Sequence, residues 1–377
     1  MLGSIKLSLR LGPVPVPVPN SVVEALSSVK VDLGSGNSQS GFELTFDVPV
    51  QRKLHNLFLG VGMVAAGGVP FMRVVLIVTI QGRSEPIIDG VATHIEAQPT
   101  DGGNAKLVIK GKDLTALMDV AELAGVPYPA TPPSVRVLGI LAKYAAFGVI
   151  PQVIPAVIDE PPLPTERIPL HKGTDYQYVQ QLAQEVGYVF YLEPGPTPGL
   201  SRAYWGPEIR VGRPQPALTT GMDALSNVDQ ISFNFDREAK SIPVVFLNEP
   251  QSHLQIGLPI PDITPMNPPL GLVPPLPPKV EHLSDTGHLT PGLAMMRGLA
   301  YAAQYGDSVF SNGTLDVAKY GRILKSRQLV GVRGAGLPYD GLYYVRNVTH
   351  DIQRGAYKQS FGLARNGLFS TLPVVPI

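Results

Sequence analysis

Residues 171–193 read HKGTDYQYVQQLAQEVGYVFYLE, and the order of elements in this stretch decides the fold class. Thr174 followed three positions later by Gln177 has the form of a capping box, in which each side chain satisfies a backbone donor left free at a helix start. Tyr178, Val179, Leu182, Ala183 and Val186 recur at the three-to-four residue spacing of one buried helix face. Gln180, Gln181, Gln184 and Glu185 fall largely on the other. Gly187 comes just past the last periodic residue, where glycine accepts the left-handed C-cap conformation at no steric cost. Tyr188 to Leu192 follow with strand propensity. The segment is a short amphipathic helix that turns directly into a strand, as expected of an α+β domain.

The chain around it has 377 residues, enough for two or three domains that each bury a core. Glycine and proline number 39 each, a composition typical of strands and turns. Lys plus Arg equals Asp plus Glu at 30 each, so the formal charge is zero. A dedicated nucleic-acid binder would carry a basic excess to neutralise phosphates, so none is expected as a specific partner. Cysteine is absent, which excludes disulfides and thiolate zinc sites. The amino terminus lacks the apolar core and cleavage site of a secretory signal.

Read in order, residues 4–11 alternate like a half-buried strand, and the following PVPVPVP is a rigid connector with few backbone donors. Residues 22–34 and 41–50 read as a β-hairpin around a loop at 34–41 rich in turn residues. Residues 57–72 carry no charge but are too short, and too interrupted by glycine and proline, for a membrane span. Leu57, Phe58, Leu59, Val61, Met63, Val64, Val69, Phe71 and Met72 are instead expected at a subunit or tube contact. Strands are expected at 73–81 and 87–97, then strand into short helix over 105–119. A helix closed by Gly148 and a proline-rich connector lead back to the opening stretch. Further strands are expected at 204–212 and 228–236, a proline-rich spacer from 248 to 278, and a helix at 291–305.

Few side chains group as chemistry requires. Ser27-Ser28-Val29-Lys30 has a serine-x-x-lysine form, but it lies in a strand-like run with no accompanying Lys-Thr-Gly. His282 and His288, near Glu281 and Asp285, match no metal-ligand spacing and read as a solvated loop. Asp159 and Glu160 read as a solvated linker rather than half of a glycosidase pair. No phosphate-cradling glycine loop follows a strand. Neither a catalytic residue, a metal ligand nor a cofactor site is expected.

Three separated segments resemble one family, phage late control protein D, which includes the myovirus tail hub and the hub portion of VgrG spike proteins. In the opening stretch Asp175, Tyr178, Val179, Leu182, Ala183, Gly187, Tyr188 and Phe190 fill the family's places, with Tyr178 and Val179 as conservative departures. Gly111, Asp113 and Leu114 match its "VxGxDL" phrase. The closing hairpins match in register through Tyr339, Asp340, Gly341, Tyr343, Val345, Val348, His350, Tyr357, Phe361, Leu363 and Arg365. His350 reads as a structural histidine packed in a strand.

The resemblance implies an α+β, mainly β fold with two tail-tube-like antiparallel β-barrel domains. Its expected divisions are 1–120 for the first barrel, 121–165 for a connector, and 166–240 plus 306–370 for the second barrel. Residues 241–305 form a proline-rich insertion with a helix, and 371–377 a tail. It implies a non-enzymatic baseplate hub, a homotrimer joining the hexameric inner tube to a trimeric spike. Its partners would be the inner tail tube protein, a separate spike protein and other baseplate proteins. It would reside in the baseplate of a phage virion or phage-tail-like particle assembled in the bacterial cytoplasm. The alternative reading is a cell-wall hydrolase or carbohydrate-binding β-barrel protein.

Overall fold

The structure is a computed structural model that describes residues 5–12, 14–49, 71–100, 104–159, 165, 168–221, 226–248, 255–261, 266–275, 279–283, 286 and 290–372. The amino-terminal strands are β1 (Lys6–Leu11), β2 (Val16–Pro17), β3 (Leu26–Gly34), β4 (Gly41–Pro49), β5 (Arg73–Ile80), β6 (Arg83–Thr100) and β7 (Asn104–Asp113). β8 (Val149–Val153), β9 (Val189–Pro194) and β10 (Ser201–Gly206) surround the opening helix in sequence, followed by β11 (Gln215–Thr219) and β12 (Gln230–Phe235). β13 (Ser241–Asn248), β14 (Gln255–Pro259), β15 (Gly271–Val273) and β16 (Lys279–Leu283) make up the insertion. β17 (Val309–Asp316), β18 (Leu329–Arg333), β19 (Gly341–Gln353), β20 (Ala356–Arg365) and β21 (Leu368–Ser370) close the chain.

Thirteen strands form one sheet in the order β12-β17-β20-β19-β3-β4-β7-β6-β5-β1-β2, with β18 and β11 branching from β19. The fold is α+β and mainly β, as expected. Its strands divide into an amino-terminal and a carboxy-terminal group, and β19 is the joint. Before a register shift between Val345 and Asn347, β19 pairs with β18; beyond it, residues 347–353 pair antiparallel with β3. A bulge re-aims a strand in this way and lets one strand serve two partners. A single apolar core, from Leu9, Leu44 and Leu107 to Val309, Val348 and Phe361, runs through both groups. β5 is buried on nearly every residue, which is why RVVLIVTI is continuously apolar rather than alternating.

A second core lies in a helical layer made of helices Thr115–Met118, Pro133–Ala142 and Asp175–Val186 over a small sheet ordered β8-β10-β9. Residues 189–206 thus complete this layer, and only β11 and β12 of the expected 166–240 segment join β17 to β20. Three further expectations differ from what the structure shows. Asn20–Ala25 is a short helix started by Pro19, so the first hairpin strand begins at Leu26 and not Val22. The proline-rich stretch after Gly148 contains β8, paired parallel with β10. As the edge strand of its sheet, β8 tolerates Pro151 because that position needs no outward donor. The expected spacer also folds: β13, β14 and β16 form a sheet against helix Pro291–Gln304, and β15 pairs with β21.

Among the described residues, no helix is long and apolar enough to cross a membrane. Of the apolar 57–72 run, Leu57, Phe58, Leu59, Val61, Met63, Val64 and Val69 lie outside the described residues. Met72 is buried in the main core, which removes it from the expected contact surface. Phe71 is half-buried and packs edge-on against Phe147, with ring centroids 5.5 Å apart.

Candidate functional site

Of the three segments singled out in the sequence, those around Asp113 and Asp175 lie where the helical layer meets the main sheet, and the third closes the chain. At the helix start the capping box is complete: Gln177 N donates to the Thr174 hydroxyl, and Thr174 N donates to Gln177 Oε1. The Thr174 hydroxyl in turn donates to Asp119 at 2.6 Å. Asp175, in the first helical turn, is buried and accepts from Lys143 Nζ at 2.8 Å and from the Tyr144 hydroxyl at 2.7 Å. That carboxylate stabilises the helix dipole and fastens helix Pro133–Ala142 to it. Burial, reinforced by the bond to Asp175, drives the Tyr144 pKa far above its ordinary value. Tyr178 stacks on Tyr128, lies against the tilted His171 ring and accepts from Arg136 at 3.1 Å. Desolvation keeps the His171 pKa below its ordinary value, against the pull of Asp175.

Leu182 and Ala183 are buried in the second core. Gly187 has φ of 74°, and a Cβ there would lie 2.6 Å from that of Ala300, so two constraints require glycine. Tyr188 packs edge-on against Trp205 and donates to the Pro155 carbonyl at 3.1 Å. Phe190 is buried, and its backbone N–H donates 2.8 Å to Asn37. Asn37 sits in the first hairpin loop and also accepts at its carbonyl from Gln180. The loop that reads as a solvent turn is therefore a docking element for the helix.

Asp113 anchors the next segment. Its carboxylate accepts from the Ser40 and Thr115 backbone at 2.9 and 3.0 Å and from the Thr115 hydroxyl. Burial pushes its pKa up, opposed by those same hydrogen bonds. Gly111 admits no side chain, because a Cβ would collide with the Phe42 ring and the Val91 carbonyl. Leu114 is buried in the second core. Beside them, Arg73 makes a bidentate pair with Asp89 at 2.7 Å in each arm, donates to the Gly199 carbonyl at 2.9 Å, and is nearly inaccessible. Ser201 donates to the same carboxylate at 3.1 Å. This staple joins β5 and β6 to β10.

A cleft of about 480 Å³ opens between these elements and residues 323–328. Each of its carboxylates is engaged: Asp89 by Arg73, Asp113 by Ser40 and Thr115, Glu193 by Arg202 and Arg327, and Glu85 by Lys325. Such a set holds surfaces together and leaves no free acid–base pair in the cleft. Arg327 adopts φ of 62° and lies 4.0 Å over the Tyr191 ring.

The closing segment forms a lock of its own. Arg365 is fully buried, lies 4.5 Å over the Tyr343 ring, and donates to the carbonyls of Asp340 at 2.9 Å and Pro338. The Tyr343 hydroxyl donates 2.8 Å to the Tyr339 carbonyl, and Asp340 accepts from Ala335 N at 2.8 Å. Gly341, at φ of 134°, gives the arginine room. Val345, Val348, Tyr357, Phe361 and Leu363 are core residues. His350 is buried, bonded through Nδ1 to the Tyr357 hydroxyl at 2.7 Å, and burial lowers its pKa to about 3. It is a neutral core histidine.

The sequence candidates set aside for chemistry separate. Ser27 lies at a register shift in β3 and donates to the Thr45 carbonyl, while Lys30 further along the strand is exposed. Asp159 is not a solvated linker: it caps helix Pro133–Ala142 by accepting from Ser134 N at 3.2 Å and from its hydroxyl. Glu160, Asp285 and His288 lie outside the described residues, and His282 is exposed beside Phe246. Among the described residues, no group of three or more potential ligands could hold a metal ion. Sequence reasoning missed Asn37, Arg73, Asp89, Ser201 and Arg327. Only the isolated Arg73, ahead of an apolar strand, carried a local signal.

No known protein family and no curated protein matches the sequence. Solved structures do match. A tail protein from Neisseria meningitidis superposes with a TM-score of 0.63 at 14% identity, covering 97% of this chain and 98% of its own. The 43 kDa tail protein of prophage MuSo2 from Shewanella oneidensis gives 0.61 at 13% identity, with 96% and 99% covered. An Escherichia coli type VI secretion component, described as structurally similar to the T4 bacteriophage tail proteins gp27 and gp5, gives 0.55 at 10% identity, with 99% and 81% covered. The chain has the fold of these tail proteins.

Proposed function

We propose that the protein is a structural baseplate hub of a contractile tail or related injection system, a homotrimer that joins the hexameric inner tube to a trimeric spike. The observation that carries this reading is the superposition on two tail proteins across nearly the full length of both chains. Two strand groups in one subunit suit a symmetry adaptor, since three copies present six such groups to a sixfold tube. The engaged carboxylates of the junction accord with a role in holding surfaces rather than turning over a substrate. Motifs in three segments, at 105–119, 174–192 and 339–365, favour the late control protein D branch. The inferred partners are the inner tube protein, the spike and neighbouring baseplate proteins. The inferred location is the baseplate of a virion or phage-tail-like particle, assembled in the bacterial cytoplasm.

Light scattering of the purified chain, alone and with its candidate spike, tests this. A trimer or a three-to-three complex is expected. A monomer that ignores the spike and cleaves or binds glycans would favour the hydrolase or carbohydrate-binding alternative.

A further inference from the structure

Many of the large apolar side chains left exposed gather on two unlike faces. The first lies on the helical layer. Val135 and Leu138 point outward from helix Pro133–Ala142, and Val157, 90% exposed, lies beside its start, where Asp159 caps Ser134. Alongside runs a ribbon bridged at Glu122 with Thr174 and at Pro127 with Leu170, which exposes Leu123, Val126 and Leu170. Arg136 ties the helix to this ribbon's end by donating to the Thr131 carbonyl.

The second face lies at the far end of the carboxy-terminal strand group. Leu337 is 81% exposed, and the adjoining Pro338 carbonyl accepts from Phe369 N at 3.0 Å. Phe369, at φ of 58°, is a bulky residue held in the left-handed region with its ring partly in solvent. β21 pairs with β15, which exposes Leu272 and Val273, and Leu372 completes the surface. A strained, exposed aromatic is a mark of a working surface rather than of packing.

Each face leaves an apolar area on the order of 500 Å², larger than scattered surface residues produce and a major part of the ~800 Å² per partner in a standard interface. The centre of each is poor in charge, the compositional sign of an interface core, while exposed Glu122 and Lys172 sit on the ribbon beside the first. The outer side of helix Pro133–Ala142 carries Val135, Leu138, Gly139 and Ala142, and the turn 334–338 carries no ionisable group. Two unlike faces of matched area on one chain suit a heterologous contact, in which each copy uses a different patch and a ring closes.

We infer that the helical-layer face of one copy seats on the Leu337–Phe369 face of a second copy. This rests on the trimeric hub reading and assigns its subunit contact. The test uses the full chain with Leu138→Asp and, separately, Leu337→Asp, studied by light scattering at tens of micromolar protein. Both side chains are exposed, so circular dichroism and melting temperature should match the wild type; Leu138→Ser and Leu337→Ser provide a milder pair. Each aspartate variant should weaken self-association by about 100-fold or more, to monomer. Mixing the two should restore a one-to-one dimer, because each variant keeps the face that the other lacks.

A wild-type trimer that survives either substitution overturns the assignment and leaves the trimer reading standing. Loss of assembly in both variants without a dimer on mixing also overturns the pairing of the two faces. A monomeric wild type, alone and with the spike, overturns the trimer reading itself and the contact with it.

Discussion

The helix start at Asp175 and the closing hairpin at Arg365 both take a charged side chain out of water, but they neutralise it differently. Asp175 meets a formal countercharge, Lys143, whose own side chain is 45% exposed and can return to solvent. Arg365 meets carbonyl oxygens and the Tyr343 ring, and desolvation lowers its pKa. The first arrangement forgives the loss of a partner because water reaches one side. The second does not, since the guanidinium is itself fully buried and its removal strips the Tyr343 ring and the Asp340 carbonyl of their partner. A matching charged residue in a motif therefore means different things according to what surrounds it.

Replacing Arg365 by Met should break this comparison most sharply, with a loss of about 4 kcal/mol in urea denaturation from the lost charge-assisted hydrogen bonds and a lost cation–π contact. A loss below that of Asp175→Asn would show that the closing lock is weaker than its burial indicates. The next effect is of pH. His350 stays neutral when folded, at a pKa lowered to about 3, while the unfolded chain binds a proton near 6.5. Stability supplied by this group is therefore complete above pH 6.5 and falls as pH drops towards 3. Between pH 6.5 and 4 it should contribute a loss of about 3 kcal/mol, and His350→Gln should flatten that slope in melts taken across the range.

Asp175→Asn, with Lys143 free to rehydrate, should cost about 2 kcal/mol by the same denaturation assay. Thr174→Ala removes one half of the capping box and should cost about 1 kcal/mol. Lys143→Ala should cost at most about 0.5 kcal/mol, because a half-exposed ion pair contributes little. If Lys143→Ala matched Asp175→Asn, the helix start would depend on the pair and not on the carboxylate's bonds to Tyr144 and the helix, and the contrast with Arg365 would collapse.

Legibility followed the range of the interactions. The capping box at Thr174, the αL stop at Gly187 and the turns before β19 and β20 are local, so residue type and spacing expose them. β8 and the strands of the insertion were hidden behind proline, because a proline's cost depends on whether its strand is an edge, and that is a property of the sheet. Asn37 read as a turn residue because its partners, Gln180 and Phe190, are more than 140 residues away. The Arg73–Asp89–Ser201 staple lacked a signal for the same reason, apart from one arginine heading an apolar run.

By itself, the sequence determined the helix that turns into a strand, the β-rich class, the glycine stop at position 187, and the neutral balance of charge. Each depends on dihedral preference, periodicity or composition, which are carried within a few residues. The tertiary structure alone decided that β19 serves two strand groups through a bulge and that the groups share one core. It also decided which charged residues became buried locks and which apolar ones stayed in solvent. Those outcomes depend on which distant surfaces meet and on how completely water is excluded between them.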